Sequence, residues 1–365
     1  MSELLKDMYN HKSLSQLAAN IKTVYNLFKA EEFLKSTMDE SWVNLELKAR
    51  GRQICLNLGK YLPANYPDAL KVIDDVLASH NDWVNGFFGV IFADFVEVYG
   101  QAEENWDISM AALARYTQYG SAEFAVRPFI INYEERMLAQ MLAWARHENE
   151  HIRRLASEGC RPALPWGQAL TKYKKDPAPI LPILEQLKAD PSLYVRKSVA
   201  NNLNDISKTH PALVAKLAKE WYGDNERTNW IVKHGCRTLL KKGNSEVLAI
   251  FGFNNALAIT TGGFTLDKTS LTIGEDVNFS FTILSQEAAK VRLEYTVDYV
   301  KANGKTSRKI FQISEVTLKA GEDKLYSKNH SFANLSTRKH YPGVHTLTLI
   351  VNGVERVSLD IELIE

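Results

Sequence analysis

The sequence predicts an all-α solenoid of helix pairs joined to an all-β sandwich, and three observations carry that reading. Up to about Phe253, apolar residues recur every three or four positions in stretches such as 14–28, 45–58 and 69–78, the spacing that gives a helix one buried stripe. From about Phe264 the period becomes two: Val277-Asn278-Phe279-Ser280-Phe281-Thr282-Ile283 and Arg292-Leu293-Glu294-Tyr295-Thr296-Val297 alternate as half-buried antiparallel strands do. The chain has 365 residues, too many for one core at roughly 100–200 residues per domain. The expected organisation is a helical domain over 1–254, a linker over 255–263 and a β domain over 264–365.

Within the helical part a unit recurs. Ile152-Arg153-Arg154-Leu155, Val195-Arg196-Lys197-Ser198 and Ile231-Val232-Lys233-His234 each set a β-branched residue ahead of basic ones, with starts 43 and 36 residues apart, the repeat length of HEAT-like helix pairs. Val126-Arg127 resembles a degenerate earlier copy, and Asp190-Pro191 stands ahead of the second. Stacking would line Arg153, Arg154, Arg196, Lys197 and Lys233 along one surface. The last hundred residues hold about seven candidate strands with turn signals at Asn303-Gly304, Ala320-Gly321, Pro342-Gly343 and Asn352-Gly353, which predicts an immunoglobulin-like sandwich. That segment has neither Cys nor Trp, so the prediction concerns architecture alone.

Composition narrows the function classes. With 45% hydrophobic and 24% charged residues, the chain matches soluble globular proteins and not disordered or membrane-spanning ones. The first residues carry Glu3 and Asp7 and no apolar run, so a cytoplasmic protein is expected. Three cysteines far apart in sequence give no disulfide framework or zinc cluster. The net charge of +1 conceals −6 over residues 1–149, +7 over 150–256 and 0 over 257–365. The basic middle is a candidate polyanion surface, or an ordinary solvated face.

Candidate chemistry concentrates in 150–170. If 152–161 is one helix, Arg154, Glu158 and Arg161 share a stripe at i, i+4 and i+7, with a carboxylate between two guanidinium groups. Pro162 and Pro165 then end the helix and project Trp166 from a turn. The plainer alternative is a surface ion ladder and a packing tryptophan. Asp205 and Glu123 are equally readable as helix-end acids. Lys233, Arg237 and Lys241, with His234 beside them, form a basic stripe suited to phosphates. His147-Glu148-Asn149-Glu150-His151 spells the zincin pattern. Asn149 is expected to begin a new helix there, which would break the single-face geometry, so no metal and no cofactor is assigned.

These repeats, together with the Arg154/Glu158/Arg161/Trp166 segment, the run V-R-K-S-V-A-N-N-L-N-D-I-S-K and W-I-V-K-H-G-C-R-T-L, resemble the HEAT-repeat alkylpurine DNA glycosylases. The similarity is to the AlkC branch, a relative of AlkD, in its form with an added immunoglobulin-like domain. It covers essentially the whole chain. The resemblance implies hydrolytic excision of cationic N-methylated bases such as 3-methyladenine and 3-methylcytosine from duplex DNA, without flipping the lesion into a deep pocket. It also implies a monomer. Its active-site acids, basic residue and aromatic fall on Glu123, Glu158, Asp205, Arg161 and Trp166. Spacing alone does not single out these three acids.

On this reading Glu158 and Asp205 stabilise developing sugar cation and position water, Glu123 assists, Trp166 faces the base or sugar, and Arg161 anchors a phosphate or carboxylate. Arg153, Arg154, Arg196, Lys197, Lys233, His234, Arg237 and Lys241 are the candidate DNA contacts. About six of them on phosphates would give a salt slope of roughly −5. Basic loops of the sandwich, Lys301 to Lys309 and Ser336 to His340, either clasp the duplex or merely solubilise. The rival readings are a non-enzymatic scaffold for an acidic protein partner and a catalytically silent nucleic-acid binder.

Overall fold

The computed structural model describes residues 4–80, 87–223, 225–254, 256–335 and 338–365. They form two compact units, Met1–Thr209 and His210–Glu365. The division falls ahead of the expected linker, so four helices between Pro211 and Ile250 share a unit with the sandwich, and the first strand already begins at Ile259.

In the first unit, helix Leu47–Tyr61 packs on helix Phe87–Tyr99, and helix Leu193–Ser207 on helix Glu150–Gly159. The recurring unit has a physical basis in its start signals. Asn149, Ser192 and Asn225 each cap a helix by accepting from the backbone N–H two residues on. Ile152 and Val195 follow their caps by three residues, whereas Ile231 follows by six, so the third copy is offset by about one turn from the alignment read off its β-branched residue.

In the first two copies the arginine serves the turn before it. Arg153 Nη1 donates to the carbonyls of His147 (3.0 Å) and Glu148 (2.6 Å). Arg196 Nη1 donates to those of Asp190 and Pro191, both at 2.8 Å, with the same offsets of six and five residues. Arg153 also forks onto Asp190, Nε to Oδ2 at 2.6 Å and Nη2 to Oδ1 at 3.1 Å. That joins one repeat to the next and explains the Asp190-Pro191 pair.

In the second unit, a three-stranded sheet runs β1 (Ile259–Leu266), β3 (Asp276–Ser285), β6 (Asp323–Ser331). It faces a five-stranded sheet ordered β2 (Ser270–Thr272), β8 (Val354–Ile364), β7 (Gly343–Val351), β4 (Ala289–Val300), β5 (Thr306–Leu318). The described strands number eight, one more than the sequence signalled, because β2 has only three residues and pairs parallel to β8. Val277, Phe279, Phe281 and Ile283 of β3 meet Val291, Leu293, Tyr295 and Val297 of β4 in the core, as the alternation requires. The β7–β8 hairpin closes on Asn352 (φ 49°) and Gly353 (φ 79°), the two positive angles of a type I′ turn.

Three buried histidines occupy one end of this core. His330 bridges two hydroxyls, Tyr295 at 2.9 Å from Nδ1 and Tyr299 at 2.8 Å from Nε2. Burial, then Arg338 and His340, pushes His330 down to about 4. Burial likewise lowers His340 and His345. An unfolded histidine protonates near 6.5, so the stability contributed by neutral His330 is complete above that pH and is lost as pH falls towards 4. The loss is on the order of 3 kcal/mol. Thermal melts from pH 7.5 to 4.5 are expected to show a falling Tm for the wild type and a flatter profile for His330→Gln; a wild-type Tm constant across that window contradicts the assignment.

Candidate active site

Three segments of the first unit bring the three acids together. Helix Glu150–Gly159 carries Arg154 and Glu158, helix Leu193–Ser207 carries Ser198 and Asp205, and residues 121–123 supply Ser121 and Glu123. The helix stops at Gly159 rather than reaching Arg161, because a residue before proline is excluded from the α region and Arg161 precedes Pro162. Arg161 therefore turns back on its own helix: its Nη1 donates to Glu158 Oε1 at 2.6 Å and its Nε to Asp205 Oδ2 at 2.9 Å.

The pairing continues on both sides. Arg154 Nη1 donates to Glu123 Oε2 at 2.9 Å and to Ser121 Oγ at 2.8 Å, and its Nη2 lies 3.6 Å from Glu158 Oε1. Lys208 Nζ donates to Asp205 Oδ1 at 3.0 Å. Glu123, Arg154, Glu158, Arg161, Asp205 and Lys208 thus alternate in sign along one chain of contacts, and Ser198 Oγ adds a bond to Glu158 Oε2 at 2.6 Å. Burial opposes the charge of Arg154 and Arg161, yet their neighbouring carboxylates, Glu158 first, raise both above the ordinary arginine value. Exposure along the network is uneven: the Asp205 side chain is 3% exposed and that of Lys208 is 50% exposed.

Two residues outside the sequence-based set hold this end of the helix. Asn202 Nδ2 donates to the Ser157 carbonyl at 2.9 Å. Arg127, almost wholly buried, donates from Nη1 to the Gly159 carbonyl at 2.8 Å and from Nε to the Gln168 carbonyl. It thereby brackets the loop 160–168. Burial brings Arg127 down to about 10. The Val126-Arg127 pair marks this residue in the sequence, but the partners come from distant carbonyls that no sequence pattern encodes.

Trp166 projects from a turn, as Pro165 predicted, and is 64% exposed. Gly167 N donates to the Leu164 carbonyl at 3.1 Å, and Trp166 takes φ 63°, the position of a proline-initiated turn that ordinarily selects Gly or Asn. A bulky residue there is strained by roughly 1–2 kcal/mol.

The expected basic surface needs correction. Arg153 and Arg196 point their guanidinium groups at carbonyls and Asp190, and Arg154 sits between Glu123 and Glu158. Of the five residues expected to line one face, Lys197 and Lys233 are exposed. In the second unit Lys233 pairs with Glu315, His234 stacks on Trp230 with ring centres 5.0 Å apart, and Arg237 Nη1 donates to the His234 carbonyl at 2.7 Å. Lys241 is exposed. Charge counting fails here because an arginine that caps carbonyls and one that faces solvent read alike. In the sandwich Arg308 is held by Asp298 and Glu355, while Ser336 and Thr337 of the second basic loop lie outside the described residues.

The zincin-like letters fall across a helix start. His147 precedes the helix and accepts from Asn149 N, whereas His151 lies in the first turn with its ring against Tyr194. No group of three or more metal-ligating side chains occurs among the described residues.

Residues 101–239 match the family model described as DNA alkylation repair enzyme, and residues 260–365 match the C-terminal Ig-like domain of the uncharacterised protein YhaZ. Together these define the class: a DNA alkylation repair enzyme type with an appended Ig-like domain. Over 359 residues the chain is 48% identical to the uncharacterized protein YhaZ of Bacillus subtilis (strain 168), spanning 98% of this chain and 99% of the relative. The solved structure of Pseudomonas fluorescens alkylpurine DNA glycosylase AlkC, bound to DNA containing an abasic site analog, matches with TM-score 0.94 at 37% identity over the whole of both chains. The chain belongs to the AlkC-type family of DNA alkylation repair enzymes.

The corrected surface separates two kinds of cation. Arg153→Met strands the nearly buried Asp190 and is expected to cost about 3 kcal/mol of stability, while leaving the salt dependence of DNA affinity unchanged. Lys197→Ala and Lys241→Ala should do the reverse, each lowering the slope by about 0.9 with little change in Tm. Denaturant melts and DNA titrations from 50 to 200 mM salt check this; a reduced slope for Arg153→Met would return it to the DNA-facing set.

Proposed function

We propose that the protein is a monofunctional DNA glycosylase that hydrolyses the N-glycosidic bond of cationic N-alkylated bases, 3-methyladenine and 3-methylcytosine, in duplex DNA without rotating the lesion into a deep pocket. The observation that carries this reading is the gathering of Glu123, Glu158 and Asp205 by Arg154 and Arg161 into one network. The family relationship supports the same chemistry. The protein acts as a monomer in the cytoplasm on this reading.

A base already carrying positive charge leaves without being protonated, so the barrier lies in positive charge developing on the sugar and in the supply of water. Fixed carboxylates answer both needs: they lower the energy of that cation, orient the water whose oxygen bonds to C1′ as the base departs with the bonding electrons, and accept the proton that this water releases. Asp205 and Glu158 take these roles, with Glu123 as the third carboxylate. Arg161 acts as the carboxylate anchor, and Trp166 offers its face to the base or sugar. Half-exposed Lys208 is the member that a DNA phosphate can draw away, which uncovers Asp205 Oδ1 and gives the network a net negative charge when substrate arrives.

Incubation with methylated duplex DNA and chromatography of the released bases tests the proposal. Glu158→Gln and Asp205→Asn should still fold, at reduced stability because a buried arginine loses a charged partner, and should bind DNA while excision slows by about 10²–10³. Trp166→Gly, which suits the turn better than tryptophan, should retain or gain stability yet also lose excision. Absence of base release by the wild type would favour the scaffold or silent-binder readings, and full activity in both acid variants would remove the assignment.

A further inference from the structure

A half-enclosed cavity of about 850 Å³, counting its open mouth, lies in the first unit between helices Leu47–Tyr61 and Phe87–Tyr99 and the segments carrying Phe124 and Trp166. We propose that it receives the free alkylated base once the glycosidic bond is cut; this rests on the glycosylase reading. The cavity adjoins the candidate site at two points. Trp166 lines it, and so does Ser121, whose hydroxyl donates to Glu123 Oε2 at 2.7 Å.

The lining suits a planar heteroaromatic ring with an amidine-like N–H edge. Phe124 and Trp166 both line the cavity, and Lys48 ties the two segments together, with Nζ 4.4 Å from the Phe124 ring centre and donating to the Trp166 carbonyl at 2.6 Å. On the inner wall, Asp94 and Glu97 share one guanidinium nitrogen: Arg52 Nη2 lies 2.8 Å from Asp94 Oδ1 and 2.6 Å from Glu97 Oε1. Two carboxylates served by one nitrogen retain acceptor capacity for a ligand's N–H groups. Burial pushes Asp94 up to about 7, opposed by Arg52 and reinforced by Glu97, a perturbation typical of side chains that meet ligands in clefts.

A second feature points the same way. Gly51 lines the cavity from inside helix Leu47–Tyr61, where glycine weakens a helix relative to alanine. A Cβ built there meets nothing closer than the Tyr9 hydroxyl at 3.7 Å, so packing of the fold does not demand glycine. What a larger side chain would remove is the cavity itself.

Equilibrium dialysis of the full chain against labelled 3-methyladenine free base, without DNA, is the direct test, run on preparations that are also assayed for excision and for Tm. Wild type should bind the base, Gly51→Ala should be at least as stable, and Gly51→Leu should bind at least tenfold more weakly. Asp94→Asn, nearly isosteric, should weaken binding if Gly51→Leu fails to fold. An enzyme that excises bases but binds no free base overturns the inference and leaves the glycosylase reading standing. Binding that neither variant alters overturns it by placing the base elsewhere. Binding by a protein that excises nothing removes the glycosylase reading, and the product role with it.

Discussion

Arg161 holds two carboxylates from different helices, Glu158 at 2.6 Å and Asp205 at 2.9 Å, and the rest of the candidate site is arranged around that pair of contacts. Like charges brought this close and largely withdrawn from water repel unless a cation lies between them. Removing one partner of a buried pair typically costs 3–5 kcal/mol, so the geometry of the acids is a property of the fold and not of flexible side chains. The short segment that places Arg161 is itself fixed at both ends by Arg127, through the carbonyls of Gly159 and Gln168.

Several local features run against stability and become intelligible beside this arrangement. Arg127 is almost fully buried and donates to carbonyls, at a desolvation cost that an apolar residue would avoid. Trp166 occupies a turn position that favours glycine. Gly51 weakens a helix in which alanine would fit. All three border the loop 160–168 or the cavity next to it, which is where strain and imperfect packing are expected when a site is held open for a ligand.

Much of the architecture was legible because it follows from periodicity. The alternation in 277–283 and 292–297 became β3 and β4, and the proline pair around 162–165 did end a helix and expose Trp166. The site was legible only in part. The stripe of Arg154, Glu158 and Arg161 was visible in the spacing, but the choice of Glu123, Glu158 and Asp205 among the acids came from family resemblance, since ion pairs across 31 or 44 residues of sequence leave no local trace. Ser198 and Asn202 were missed for the same reason, with partners 40 and 45 residues away, whereas Lys208 was missed although it stands only three residues from Asp205. The basic repeat positions misled in the opposite sense: Arg153 and Arg196 satisfy carbonyls of the preceding turn, a duty that sequence charge cannot distinguish from phosphate contact. The division at Thr209 was invisible because helix continues on both sides of it.

The central claim is electrostatic: a fixed set of carboxylates favours positive charge at the sugar over a neutral sugar of the same shape. Affinities for duplexes carrying a cationic pyrrolidine or a neutral tetrahydrofuran at the abasic position measure this without any bond cleavage. The cationic analogue is expected to bind at least tenfold more tightly, and Glu158→Gln and Asp205→Asn should erode that preference while leaving the neutral duplex unaffected. Equal affinity for the two duplexes, or a preference that survives both substitutions, would contradict the account.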